Sequence, residues 1–100
     1  MYIFLKDNVP DELAPVISAH ASLACYKKFE SNKFMQEWIK GVFKKVVCQV
    51  TEEEFVKLTK ESDHLILTES RLNNQAVCIV FCPRVVYPKY FKFFKMWKPG

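Results

Sequence analysis

Four side chains of this sequence have the types that carry out acid–base chemistry and stand at informative positions. Lys6 ends a predicted strand, Thr68 and Glu69 end another, and His20 lies in the predicted helix between the first two strands, within the stretch ISAHASLACY. A carboxylate or an imidazole can act as a general base, and an ammonium can stabilise a developing negative charge. These four residues are therefore the candidates for a reactive site, and their use depends on the elements that position them.

The pattern of apolar residues and turn residues predicts four strands and four helices in the order β-α-α-β-α-β-β-α. The strands are expected at 2–6, 44–50, 64–70 and 76–83. The helices are expected at 13–29, 31–41, 51–62 and 87–97. The valine-rich and continuously apolar runs are typical of buried strands, whereas apolar residues three and four positions apart indicate helices.

Local signals fix several of these boundaries. Ser31 is the expected N-cap of the second helix and Gly41 its expected end. Thr51 and Glu54 have the spacing of a capping box at the start of the third helix. The pair 73–74 is Asn-Asn, which tolerates positive φ and predicts a tight turn between the last two strands.

Strands separated by helices are expected to run parallel, and the asparagine turn predicts an antiparallel hairpin. The sequence thus predicts an α/β fold, a three-layer α/β/α sandwich with a four-stranded mixed sheet. The carboxyl ends of the first three strands would meet at one end of that sheet, where open α/β sheets bind ligands. Lys6, Thr68 and Glu69 fall at this end.

His20 lies on a helical stripe of apolar residues that includes Leu13, Ile17 and Leu23. A histidine on an apolar face is more often a hydrogen-bonded packing residue than a base. We therefore expect His20 mainly to fit between helix and sheet, with a catalytic role as the alternative.

The composition describes one domain covering residues 1–100. Half of the residues are hydrophobic, and the net charge of +4 with a pI near 8.9 is compatible with a polyanionic partner. Lysines concentrate in 27–46 and basic residues without any acid in 84–98, whereas 52–63 is net acidic. No apolar run approaches the ~20 residues of a membrane span, so we expect no membrane association.

The four cysteines are expected to be free thiols in a reducing, cytoplasmic compartment, because no signal peptide is apparent. Cys78 and Cys82 would lie roughly 13 Å apart along one strand, at about 3.3 Å per residue, too far to share a zinc ion. We expect neither a metal nor another cofactor.

Several segments in their order resemble the type 2 peptidyl-tRNA hydrolases: AHASLACY, WIKGVFKKVV, DHLILTES, CIVFCP and the terminal FKFFKMWK. The resemblance covers nearly the whole chain. It implies a mixed four-stranded sheet between helices, and metal-free hydrolysis of the ester that joins a peptide to the 3′ ribose of tRNA.

The chain departs from the family pattern at the positions that carry catalysis. The family usually has a lysine at the position of Leu13, a glutamine at that of Ile17, and aspartate-alanine-glycine where this chain has Thr68-Glu69-Ser70. In the hydrolase interpretation Glu69, one position after that of the family's aspartate, would be the general base. Lys6 would stabilise the oxyanion, and Thr68 would lie at the same site. Whether the chain is an enzyme stays open, and the alternative is a catalytically inactive RNA- or protein-binding module on the same fold.

Basic side chains predict an RNA-binding surface under both interpretations. The candidate residues are Lys89, Lys92, Lys95, Lys44 and Lys45. Lysines contact phosphates without reading bases, so tRNA or another RNA would bind in a salt-dependent, sequence-independent way. The aromatic residues between the C-terminal lysines are expected to be buried against the sheet. The sequence is compatible with a homodimer.

Overall fold

The computed structural model describes residues 1–100 and contains five strands, three α-helices and three short 3₁₀ helices. The strands are β1 (Tyr2–Lys6), β2 (Val46–Val50), β3 (His64–Glu69), β4 (Gln75–Phe81) and β5 (Lys95–Met96). The α-helices are α1 (Ala14–Lys28), α2 (Lys33–Lys40) and α3 (Glu52–Leu58), and short 3₁₀ helices lie at Asp11–Leu13, Ser70–Leu72 and Lys89–Phe93. The predicted α/β class is confirmed.

The five strands form one mixed sheet in the order β3-β4-β1-β2-β5. β1 and β2 are parallel, β4 is antiparallel to both β1 and β3, and β5 is antiparallel to β2. It follows that β1, β2 and β3 all run in the same direction, as the sequence predicts. We call the end where these three strands stop the C-terminal end of the sheet, and the end where they start the N-terminal end.

The prediction of four strands is wrong, because the C-terminal segment is not the single helix expected. Pro88 precedes a single 3₁₀ helix, and Phe94 then takes an extended conformation with φ −70° and ψ 146°. The chain continues as β5, and the Trp97 amide donates to the Val47 carbonyl at 3.0 Å. Edge pairing with β2 thus supplies backbone hydrogen bonds that a continued helix would have had to make internally.

Helices cover both faces of the sheet. Strand side chains alternate between faces, so Ile3 and Leu5 pack with α1, whereas Phe4 faces α3 and the C-terminal 3₁₀ helix. The core on the α1 face includes Ile17, Ala21, Cys25, Met35, Cys78 and Val80. The core on the α3 face includes Cys48, Val50, Phe55, Leu58, Ile79, Phe81 and Phe91. The sheet is thus the middle of three layers, with one core between it and α1 and the other between it and α3.

Most of the predicted helix caps and turns are present in the structure. Both hydrogen bonds of the capping box join Thr51 and Glu54 at the start of α3. The turn after β3 has Asn73 and Asn74 at φ 57° and 56°. Asn32, rather than the expected Ser31, caps α2, because its side chain accepts hydrogen bonds from two amides of the first turn. None of the helices is long and apolar enough to cross a membrane.

Candidate nucleic-acid interface

Lys6 ends β1 with its side chain on the α3 face of the sheet. Its ammonium lies 2.7 Å from Glu52 Oε2 and 4.4 Å from the centroid of the Phe55 ring. Only 12% of the side chain is exposed. Glu52 is the first residue of α3, so this ion pair ties β1 to the start of that helix. The ammonium is thus already neutralised within the chain.

Glu69 ends β3 on the opposite face, beside α1. Its carboxylate accepts hydrogen bonds from Arg71 Nε at 2.7 Å and from the Arg71 amide at 3.3 Å. These bonds lower the pKa of Glu69 below its ordinary value, and the charge of His20 adds to this effect. Glu69 is therefore an ionised, hydrogen-bonded carboxylate that is 8% exposed, and a poorer general base than an unpaired one.

The structure does not bring Lys6 and Glu69 together. They lie on opposite faces, and β4 separates their strands, which places them about two strand spacings, ~9.6 Å, apart across the sheet. Thr68 is exposed and, as the residue before Glu69, points away from the face that carries Glu69. A single catalytic centre formed by these three side chains would require a different arrangement of the strands.

His20 is exposed, so the expectation that it packs between helix and sheet is wrong. The buried face of α1 is formed by Ala14, Ile17, Ala21 and Cys25, at spacings of three, four and four residues. These small and medium side chains let the helix lie close to β1 and β4. The helix is rotated so that His20 lies outside this buried face. The imidazole is thus in contact with solvent, and its charge makes a minor contribution to the lowered pKa of Glu69.

Basic and aromatic side chains meet instead at the N-terminal end of the sheet. Three neighbouring cavities of about 280, 280 and 350 Å³ share lining residues there. We name this surface the basic groove and define it by its cations and ring walls: Lys44, Arg84, Lys89 and Lys92, with Tyr2, Trp38 and Tyr87. Glu37, at one end, is the single carboxylate that lines these cavities.

Arg84 follows β4 and lies at the centre of the basic groove, where it lines two of the three cavities. Its Nε donates to the Val86 carbonyl at 3.0 Å, and its guanidinium carbon lies 5.6 Å from the centroid of Tyr87. Nη1 is buried and has no hydrogen-bond partner. A buried donor without an acceptor costs about 1–3 kcal/mol, so this guanidinium has an unmet requirement for an acceptor.

Aromatic packing holds the walls of the groove in place. The Tyr87 hydroxyl donates to the Cys82 carbonyl at 2.7 Å, and its ring stacks on Phe91 at 5.4 Å. Tyr2 packs edge-on against both of these rings, at 4.8 and 5.3 Å. The Trp38 indole donates to the Lys44 carbonyl at 2.8 Å and so fixes the backbone of that lysine. The walls of the groove are therefore held by ring packing and hydrogen bonds within the chain.

The structure gathers three of the five predicted RNA-binding lysines in this groove. Lys45 lies outside it, on an apolar cavity of about 560 Å³ between α1 and α2, where its ammonium covers the Trp38 ring at 5.3 Å. Lys95 lies on β5 opposite Gln49, towards the C-terminal end of the sheet. The predicted patch is thus divided into a groove and two outlying lysines.

The sequence did not predict the surroundings of two residues of this region, Arg84 and Phe93. Arg84 was recognisable as a cation but not as a groove residue, because its position depends on where β4 ends relative to Lys44. The expectation of buried C-terminal aromatics holds for Phe91, which is 1% exposed, but not for Phe93, which is 86% exposed. The 3₁₀ geometry turns Phe93 outward, and no periodicity of the sequence signals it.

All four cysteines are free and buried. Burial raises the pKa of Cys48 and Cys82 to about 11 and that of Cys25 to about 12, and it raises the pKa of Cys78 as well. These thiols are therefore protonated at neutral pH and unreactive towards electrophiles. No group of three or more histidine, cysteine or acidic side chains is placed to hold a metal ion.

The site thus consists of unpaired cations beside ordered aromatic rings, a combination that binds phosphates and stacks bases. No protein-family model, curated protein or solved structure matches the chain.

Proposed function

We propose that this protein binds single-stranded RNA in the basic groove. The observation that carries the proposal is the presence of four cations along adjoining cavities, none of which is in an ion pair. The resemblance of the sequence to type 2 peptidyl-tRNA hydrolases supports tRNA with its single-stranded end as the RNA. Free, buried thiols suit a reducing compartment such as the cytoplasm.

The electrostatics of the groove favour a polyanion. The chain makes two ion pairs, Lys6–Glu52 and Arg71–Glu69, and both lie at the C-terminal end of the sheet. The groove cations keep their full attraction for phosphates, and binding releases the counterions that phosphates condense. Such contacts carry no sequence information, so the proposal is a general RNA binder.

Salt dependence tests this proposal. Labelled single-stranded RNA and tRNA are titrated with the protein at several salt concentrations, and fluorescence anisotropy gives the affinity. Each phosphate contact to a single strand contributes about −0.7 to the log–log slope. The double variant Lys89→Gln/Lys92→Gln should therefore flatten the slope by about 1.4.

The matched control removes two exposed lysines outside the groove, Lys33→Gln/Lys60→Gln. This variant has the same net charge as the groove variant, so a purely nonspecific effect of charge would appear equally in both. Equal slopes for the two variants, or no RNA binding at low salt, would refute the proposal.

Ester hydrolysis is the second candidate function, and one observation favours it. The charge of His20 contributes to the lowered pKa of Glu69, so the imidazole lies within electrostatic range of this carboxylate, although no hydrogen bond joins the two. A closer approach of the two side chains would let the carboxylate orient the imidazole for general-base catalysis. This imidazole would then activate water against the peptidyl ester, in place of the Glu69–Lys6 pair that the sequence suggested.

A deacylation assay on a defined peptidyl-tRNA, run beside a type 2 peptidyl-tRNA hydrolase, tests this second candidate. We expect His20→Ala and Glu69→Gln each to abolish any peptide release, and Lys33→Gln to leave it unchanged. If the unaltered protein binds RNA but releases no peptide, ester hydrolysis is refuted and RNA binding is the remaining function.

A further inference from the structure

The cavity between Arg84 and Lys44 has the features of a site for one phosphate group. We propose that it binds a terminal phosphate of the RNA, an inference that rests on the RNA-binding function proposed above. Its ligand class is a phosphate monoester at a strand end, as distinct from the phosphodiesters that the rest of the basic groove contacts.

The guanidinium of Arg84 provides the first argument. Its Nε is occupied by the Val86 carbonyl, while Nη1 is buried with no acceptor. No carboxylate lines this cavity and none forms an ion pair with Arg84. Arginine presents several donors in a planar fork that matches the oxygens of a phosphate. A small rotation of the guanidinium towards the cavity would bring Nη1 to a phosphate oxygen, which would supply the acceptor that the protein itself does not.

Lys44 provides the second cation on the same cavity. Its carbonyl accepts from the Met1 nitrogen at 3.0 Å and from the Trp38 indole at 2.8 Å, and these two bonds fix its backbone. Its ammonium makes no ion pair. Arg84 and Lys44 therefore line the same small volume from two separately anchored segments of the chain, and the exposed side chain of Lys44 is free to turn its ammonium towards it.

Charge and volume distinguish a terminal phosphate from an internal one. A phosphate monoester carries −1.5 to −2 charges at neutral pH, about the sum of these two cations, whereas a diester carries one. The cavity of about 280 Å³ lies just below the ~300 Å³ at which pockets for drug-sized ligands begin. It suits one phosphate with part of its sugar, while Lys89 and Lys92 lie further along the groove for the following nucleotides.

Three RNA oligomers of identical sequence test the inference: one with a 5′-phosphate, one with a 3′-phosphate and one with hydroxyls at both ends. We expect one phosphorylated oligomer to bind about tenfold tighter than the hydroxyl oligomer, and the identity of that oligomer assigns the strand end. Arg84→Lys, which keeps the charge but loses the fork, should remove most of this difference. Lys33→Gln should preserve it.

Thermal unfolding of the Arg84 variant shows whether it is folded. If it is not, nuclear magnetic resonance of the unaltered protein decides, because the side-chain Nε–H of Arg84 should shift only with the preferred phosphorylated oligomer. Equal affinity for all three oligomers would overturn the inference while leaving the RNA-binding function intact. Absence of binding to any of them would overturn both.

Discussion

The two ends of the sheet differ in how their charged side chains are used. At the C-terminal end, Lys6 pairs with Glu52 and Glu69 pairs with Arg71. At the N-terminal end, the four groove cations make no ion pair, and Arg84 has a buried donor without a partner. A charge that the chain has already paired contributes to folding, whereas an unpaired cation beside a cavity is available to a ligand.

The comparison explains why strand direction and unpaired charge point to different ends of the sheet. Carboxyl ends of parallel strands collect polar residues because the following turns start there, and ligands often bind there. In this chain the partners come from the segments that follow two of the strands: Glu52 lies two residues after the end of β2 and pairs with Lys6, and Arg71 lies two residues after the end of β3 and pairs with Glu69. The groove cations follow β4 or precede β2, and Glu37 is the one carboxylate among the residues that line the groove.

The aromatic rings around Phe91 pack together at the N-terminal end, where the groove cations make no ion pairs, and the loss of this packing should have the largest effect. Phe91 is 1% exposed and has six aromatic rings with centroids 5.0–6.3 Å away. Truncation of a buried phenylalanine costs about 3–5 kcal/mol. We expect Phe91→Ala to lower the free energy of unfolding by that amount in urea titrations, and to weaken RNA binding because Tyr2 and Tyr87 lose their support.

Phe93→Ala is the matched control for Phe91→Ala, since the same ring is removed from an exposed position two residues away. Its effect on stability should stay within about 0.5 kcal/mol. A similar loss of stability in both variants would mean that the cluster does not brace this end.

Phe93 should matter for binding instead. A ring that is 86% exposed beside Lys92 can stack on a base whose phosphate the lysine contacts. Loss of one stacking partner costs about 1–3 kcal/mol in single-strand binding. We therefore expect Phe93→Ala to weaken RNA binding at constant salt slope, whereas the lysine variants change the slope. Unchanged affinity would show that Phe93 does not contact the RNA and that the interface is limited to the basic groove.

The sequence predicted the parts of this fold that depend on local chemistry. The capping box of Thr51 and Glu54, the turn at Asn73 and Asn74, and the common direction of β1, β2 and β3 all follow from short patterns. It did not predict β5, because the lysines and aromatics of 87–97 suit an amphipathic helix as well as an edge strand. The choice depends on the free edge of β2, which is tertiary information.

The candidate site was less predictable for the same reason. Lys44, Lys89 and Lys92 were identifiable from charge, but Arg84 joins them only through the register of β4 against β1. His20 was misassigned because its neighbours Val16 and Leu23 are apolar yet exposed, so the apolar stripe of α1 was taken as wider than the buried face. Burial depends on which part of a helix meets the sheet, and the hydropathy of these residues does not specify that rotation.

Acid titration tests the paired end of the comparison and should have the smallest effect. The pKa of Glu69 lies below the ordinary value of 4.5 because Arg71 binds the ionised carboxylate. The folded state therefore holds fewer protons than the unfolded state in this range, so the contribution of the pair is complete above about pH 4.5 and is lost as the pH falls through the folded pKa. Arg71 is 56% exposed in its side chain, and salt screens such a pair.

We expect Glu69→Gln to reduce slightly the fall of the unfolding temperature with decreasing pH. Glu53→Gln, at an exposed position of α3 outside both ion pairs, should leave this fall unchanged. If Glu69→Gln and the unaltered protein lose stability in parallel, the pair is not formed in solution, and the contrast between a paired and an unpaired end of the sheet fails at this residue.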